Sequence, residues 1–310
     1  MLQRYEKKGR RVMGHHHHHH HHDHGHETGN IKIAFFLNLS FTIIEVIGGL
    51  MTNSMAILAD ALHDLGDSLS LGISWFLEKV SGKKPDETFT FGYARFSLLA
   101  AFINSMVLIV GSTIILYHVI PRLLNPEPVE ASGMLLLSIL GIVMNGLAVL
   151  RLKKGSSMNE KVVTWHLMED ILGWVVVLVA SIVLMFVDWP IIDPLLSLGL
   201  TLYILYNVVG NLKEIVGIFL QKTPSGVSKS ELKQALEEEL NVRTHHLHLW
   251  SLDGEKTMLS LHLEVKDDLT TDELIEEKSR VRQWLNDHEI DHVTLELEFE
   301  KEFCEASDCE

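Results

Sequence analysis

Two apolar segments of this 310-residue chain each hold a histidine and an aspartate four residues apart: His63 with Asp67, and His166 with Asp170. Residues four apart lie on one face of a helix. Each pair would therefore aim an imidazole nitrogen and a carboxylate oxygen the same way. Two such faces, opposed, supply two nitrogens and two oxygens. That set suits tetrahedral Zn²⁺, which takes N and O ligands at about 2.0–2.2 Å. The two carboxylates also balance the charge of a divalent ion. An ionisable group in hydrocarbon costs about 3 kcal/mol or more, so it faces a cavity or a partner. A single polar residue could serve helix packing alone, but the same spacing on two helices matches a coordination need. The His-Glu-x-x-His pattern of zinc proteases is missing, and no base or nucleophile is set up for catalysis, so no enzyme is expected.

These pairs need helices that cross a membrane. Six apolar stretches follow residue 30, at about 31–51, 55–79, 96–120, 131–151, 160–187 and 191–219, each near the ~20 residues a spanning helix requires. Met51-Thr52-Asn53-Ser54, Pro126 with Pro128, and Asp188-Trp189-Pro190 mark breaks between them. The first His/Asp pair falls in the second stretch and the other early in the fifth. Lys7, Lys8, Arg10 and Arg11 precede the first stretch, Lys83 and Lys84 follow the second, and Arg151, Lys153, Lys154 and Lys161 lie around the fourth break. The intervening connections are almost bare of Lys and Arg, which places both termini in the cytoplasm.

Beyond Thr223-Pro224 the pattern changes. Ser228–Leu240 reads as an amphipathic helix, His245–Trp250 and Met258–Val265 as strands, Thr271–Leu285 as a helix and Val293–Phe299 as a strand. That αββαβ order predicts a small α+β domain with an antiparallel sheet. Strand alternation separates His246 and His248 from His245, so these histidines are not expected to share one face. The domain plan is a disordered His-rich tail over 1–30, a six-helix transmembrane bundle over 31–222, and a cytoplasmic domain over 223–310. Within the tail, the run His15–His22 reads either as a natural metal-gathering segment, continued by His24 and His26, or as a purification tag.

The totals agree with two unlike regions: 47% of residues are hydrophobic, yet 22% are charged. A net charge of −15 argues against nucleic acid as a partner, since phosphate binding needs clustered Lys and Arg. The two cysteines, Cys304 and Cys309, close the chain and form no disulfide framework. As thiols they are candidates for soft metal ligands, although four residues separate them rather than the two of a tight Cys-x-x-Cys.

Several segments together resemble the cation diffusion facilitator family, in its zinc-type branch. They are Gly48-Gly49, Ser54–Ala61 leading into His63-x-x-x-Asp67, Phe91-Gly92-Tyr93-Ala94-Arg95, His166-x-x-x-Asp170, Lys222-Thr223-Pro224 and His248-Leu249-Trp250. The resemblance implies a homodimeric exporter of cytoplasmic zinc with six spans per protomer, located in an inner or plasma membrane. It also implies exchange against protons and a metallochaperone-like C-terminal domain. A His at position 63 is similar to zinc-preferring members, whereas Asp there accompanies wider use of cadmium. His245, His262 and Glu298 match positions that bind regulatory Zn²⁺ in relatives, with His248 a further candidate; another ligand position falls on Ile275, which cannot coordinate. The second connection, Pro85–Tyr93, holds no His, so the ancillary metal site some members carry there is not expected. Metal requires neutral His and ionised Asp, so loading competes with protons, and imidazole titrates near pH ~6.5. His63 and His166 are thus the expected proton carriers. The alternative is a membrane-bound metal sensor signalling through its C-terminal domain, a role that needs no intramembrane ligands.

Overall fold

The computed structural model describes residues 27–81, 85–152, 158–299 and 302, without the side chains of 27–34, 71, 74–75, 77–79, 81, 148 and 151–166. The tail histidines, Cys304, Cys309 and the basic residues Lys83, Lys84, Lys153 and Lys154 lie outside the described residues.

Six long helices come first: α1 Glu27–Thr52, α2 Met55–Ser81, α3 Arg95–Leu124, α4 Ala131–Leu152, α5 Met158–Phe186 and α6 Ile192–Phe219. Each overlaps one expected apolar stretch. The main difference is α3, which runs through Pro121. The proline forfeits only the bond to the carbonyl four residues back, and its own carbonyl still accepts from Asn125 N at 2.9 Å. Four helices contain a described stretch long and apolar enough to cross a membrane: Phe35–Thr52, Arg95–Leu124, Leu167–Phe186 and Ile192–Phe219. In α4 the corresponding stretch, Ala131–Leu147, is shorter. In α2 the apolar run is interrupted by Asp60, Asp64 and Asp67.

The backbone contacts divide the chain into two units. One comprises Leu99–Leu212 with the described part of 14–84, and it has two interior clusters. In the first, Phe41 of α1, Ile57 of α2, Met134 of α4, and Trp174 and Val177 of α5 pack together. The Phe41 and Trp174 rings meet edge-on at 5.9 Å. Gly141 of α4 permits this approach, since a Cβ there would lie 2.3 Å from the Trp174 ring. In the second, Leu108 of α3 packs with Ile204 and Val208 of α6, and Leu62 of α2 rests against them.

The other unit comprises Pro85–Leu98 with the described part of Lys213–Glu310. Its elements are α7 Lys229–Leu240, β1 Arg243–Ser251, β2 Thr257–Val265, α8 Thr271–Asp287 and β3 His292–Phe299, in the expected order. Ser228 caps α7, and Thr270 with Glu273 forms a reciprocal capping box on α8. Leu232 and Leu236 of α7 and Val281, Trp284 and Leu285 of α8 cover Leu259, Leu261, Leu263 and Leu295 on one face of the sheet. The sheet order is β1-β2-β3, with β1 antiparallel and β3 parallel to β2. This corrects the expected antiparallel sheet. A helical crossover, α8, returns the chain to the end where β2 began, so β3 must run alongside β2.

Candidate metal sites

Helix α2 presents Asp60, His63, Asp64 and Asp67 over two turns. His63 Nε2 lies 3.8 Å from Asp67 Oδ2 on its own helix and 3.9 Å from Asp170 Oδ1 on α5. The fold thus brings together three of the four residues singled out from spacing. Two donors on one tetrahedral zinc sit about 3.4 Å apart, so a contraction of about half an ångström would suffice for these to share an ion. His63 is 31% exposed and Asp67 32%, against 12% for Asp170, so the α5 carboxylate is the most enclosed of the three. His166 lies one turn before Asp170 on α5; its side chain is outside those described.

The neighbouring polar residues divide by what they face. Asp60 is buried, and its Oδ1 lies 3.9 Å from where a Cβ on Gly173 of α5 would be, so it packs one turn from Asp170. Asn38 of α1 donates to the Asp64 carbonyl and to Ser68 Oγ, both at 3.0 Å, pinning α1 to α2 beside the site. Asn145 bonds back to Gly141 of its own helix at 3.2 Å. Glu169 is exposed. Glu45 of α1 is fully buried, and the charges acting on it are the carboxylates of Asp64, Asp60 and Asp170. Carboxylates crowded this way repel unless a cation or protons intervene. Sequence alone offered no partner for Glu45 or Asn38, because their neighbours come from other helices.

A second group lies on the sheet face opposite the core. His245 pairs with His262 across β1–β2, and Glu298 of β3 stands two residues beyond Glu296, the partner of His262. One atom from each of His245, His262 and Glu298 falls within 4.8 Å of the others. His262 Nδ1 is 3.6 Å from Glu298 Oε2, and His245 Nε2 approaches the same oxygen more closely. These three atoms are buried and make no hydrogen bond among the described residues. Buried polar atoms are seldom left so, and two imidazoles with a carboxylate form a donor set that zinc accepts. Outside the trio, His245 Nδ1 is 3.4 Å from Glu264 Oε1 and His262 Nε2 is 3.3 Å from Glu296 Oε2. A metal-bound imidazole is oriented through its second nitrogen in this manner. Glu264 was overlooked in the sequence, although it shares the period-two face of His262.

The expectation that His245 stands apart from its neighbours requires correction. The β1–β2 register shifts between His245 and His248, and His246 takes a left-handed φ of 47°. Such a bulge re-aims the side chains on either side of it. It leaves Leu247 and Leu249 in the core while turning both His245 and His248 to the polar face. His246 is buried with its ring 4.9 Å from that of His262 and 5.2 Å from that of His245. Desolvation, then the nearby His262, His245 and His248, hold its imidazole below the ordinary value. His248 is exposed and outside the trio, and Ile275 is exposed on α8. In the second connection, Asp86 Oδ1 accepts from the amides of Thr88 and Phe89 at 2.9 and 2.7 Å, and Tyr93 donates to Oδ2 at 2.6 Å. The bond to Asp86 raises the Tyr93 phenol.

Residues 31–220 match the cation efflux transmembrane domain, and residues 224–299 match the cation efflux protein cytoplasmic domain. The chain is 35% identical to the zinc transporter ZitB of Pectobacterium atrosepticum over 299 residues, covering 93% of this chain and 91% of that one. It is 35% identical over 286 residues to the cadmium, cobalt and zinc/H(+)-K(+) antiporter of Bacillus subtilis, covering 89% and 92%. It is 32% identical over 282 residues to ZitB of Escherichia coli, covering 89% and 88%. With both domain matches spanning nearly all of its described length, and with its apolar helices, the chain is a multi-pass membrane protein of the cation efflux family, the cation diffusion facilitators.

Proposed function

We propose that the protein exports Zn²⁺, or a closely related divalent metal, from the cytoplasm in exchange for protons, through a site made by His63, Asp67, His166 and Asp170. The observation that carries this reading is the meeting of His63 on α2 with Asp170 on α5 at 3.9 Å. A nitrogen and an oxygen from different helices converge there inside an apolar bundle, where uncompensated ionisable groups are costly. The relatives named as zinc transporters and as a metal/proton antiporter point the same way.

The reading takes α1–α6 as six spans. Helix α2 has 27 residues and α4 has 22; at ~1.5 Å per residue, both exceed the ~30 Å of hydrocarbon. The apolar run of α2 is interrupted by the carboxylates that the cargo requires. The alternation of basic and bare connections puts both termini in the cytoplasm. The bundle then covers 31–222 and the cytoplasmic domain 223–310. Metal loads on neutral imidazole and ionised carboxylate and displaces protons; on the far side the order reverses. His63 and His166 are the proton carriers.

His245, His262 and Glu298 bind a regulatory zinc. Two copies of this acidic domain in a homodimer repel each other, and metal bound near the interface relieves the repulsion and tightens the dimer. Zinc flux into inverted vesicles under an imposed pH gradient tests the central claim. Uptake should accelerate when the lumen is acid and fall when the gradient is collapsed. Flux indifferent to the gradient excludes proton exchange.

A further inference from the structure

At one end of the helical unit, the end of α3 with the connection that follows it and the first turn of α6 converge on the turn between α1 and α2. Asn53, between α1 and α2, has a left-handed φ of 54°. Arg122, near the end of α3, donates to the Asn53 carbonyl at 2.8 Å and to Asn53 Oδ1 at 2.5 Å. Arg122 also pairs with Glu127 at 3.0 Å. Asn53 Nδ2 in turn donates to Glu127 Oε2 at 3.3 Å and to the Pro128 carbonyl at 3.1 Å. From α6, the fully buried Asp193 accepts from Ser54 Oγ at 2.5 Å, Met55 N at 2.7 Å and Ala56 N at 3.2 Å. A buried carboxylate here is stabilised by the helix terminus it caps, whose amides and dipole favour negative charge.

These bonds join two groups of helices. Arg122 and Asp193 belong to α3 and α6, which pack through Leu108, Ile204 and Val208. The turn they hold belongs to α1 and α2, which share the Phe41, Ile57 and Trp174 core with α4 and α5. His63 lies nine residues beyond Ser54, about 14 Å along α2. Four and eight residues after Asp193, on the same face of α6, Ser197 and Thr201 are fully buried. Their hydroxyls have no hydrogen-bond partner among the described residues. Buried hydroxyls without partners are unfavourable in a packed interface and natural in a path that wets when it opens.

We propose that Asp193 and Arg122 form an outer clasp that shuts the non-cytoplasmic end of the metal route, and that release of the cation requires their bonds to residues 53–56 to part and uncover the Ser197 and Thr201 face. The proposal rests on the six-span orientation given above. Asp193 is a positioning residue: it acts through α2, the helix that carries His63 and Asp67.

The test uses the full chain in cells, with Cys304→Ser and Cys309→Ser and a single reporter, Ser197→Cys, treated with a membrane-impermeant maleimide. In the otherwise unchanged protein the reporter should label weakly from outside. Asp193→Ala should raise labelling about fivefold or more. Asp193→Asn, which keeps the oxygen serving Ser54 and Ala56, should fall between. With the metal-receptive population reduced, KM for zinc at the cytoplasmic face should rise about three- to tenfold while kcat stays within about twofold. A purely structural role would instead lower yield and kcat together and leave labelling unchanged. Should Asp193→Ala fail to accumulate, Arg122→Gln opens the clasp from the other side and should give the same two readouts. Labelling of Ser197→Cys that is equal in the parent, Asp193→Asn and Arg122→Gln overturns the proposal. Asn125→Cys, exposed in the α3–α4 connection, separates the two readings. Its labelling from outside upholds the orientation, whereas labelling only in inverted vesicles overturns the orientation and the clasp with it.

Discussion

Replacing Asp170 by Asn removes one negative charge from the meeting point of α2 and α5 while keeping the shape of the side chain. Asp170 Oδ1 stands 3.9 Å from His63 Nε2, so an ion held between them lies about 2 Å from each. Removing one partner of a buried charge pair costs about 4 kcal/mol. The retained amide oxygen, still able to ligate the ion, offsets roughly half of that. The net loss is then about 2 kcal/mol, or roughly thirtyfold in metal affinity. Zinc uptake by proteoliposomes, followed with a lumenal indicator over a range of zinc concentrations, reads this as a KM about thirtyfold higher. The neighbouring Glu169 is exposed on the same helix, and Glu169→Gln should leave KM within about twofold. If Asp170→Asn and Glu169→Gln behave alike, with KM near the parent value in both, then Asp170 does not hold the cargo and the reasoning from the His63 contact is wrong.

In the cytoplasmic domain, Glu298→Gln should remove one tightly bound zinc per chain in a chelator-competition titration, while Glu296→Gln, on a side chain 69% exposed, should shift that affinity less than about tenfold. Gly141→Ala should destabilise the helical unit by about 1–3 kcal/mol, because its Cβ would press into the Trp174 ring; a lower thermal midpoint of the purified protein checks this. Glu273 accepts from the Thr270 amide and hydroxyl, and the amide first, then the hydroxyl, hold its carboxyl below the usual 4.5. Its contribution to stability is therefore complete above pH 4.5 and is lost as the pH falls through the lowered folded value. Urea midpoints measured between neutral and acid pH should show a shallower acid limb in Glu273→Gln than in the parent.

Much of this protein can be read along the chain, because the signals are local. The His63/Asp67 and His166/Asp170 spacings put each pair on one helix face whatever surrounds them. The six apolar runs, the Ser228 and Thr270 caps, and the period-two strands likewise depend on neighbours within a few residues. What the chain could not disclose are relations between distant segments. The parallel pairing of β3 with β2 follows from where α8 returns the chain. The bulge at His246, which turns His245 toward His262 while Leu247 stays buried, is a compromise between the core and the polar face. Such a compromise exists only once both faces are formed. The same holds for Glu45, whose neighbours come from α2 and α5, and for Asp193, which serves a helix terminus 138 residues away. Periodicity determined which residues could bind a metal ion; the packing of helices and strands decided which of them meet.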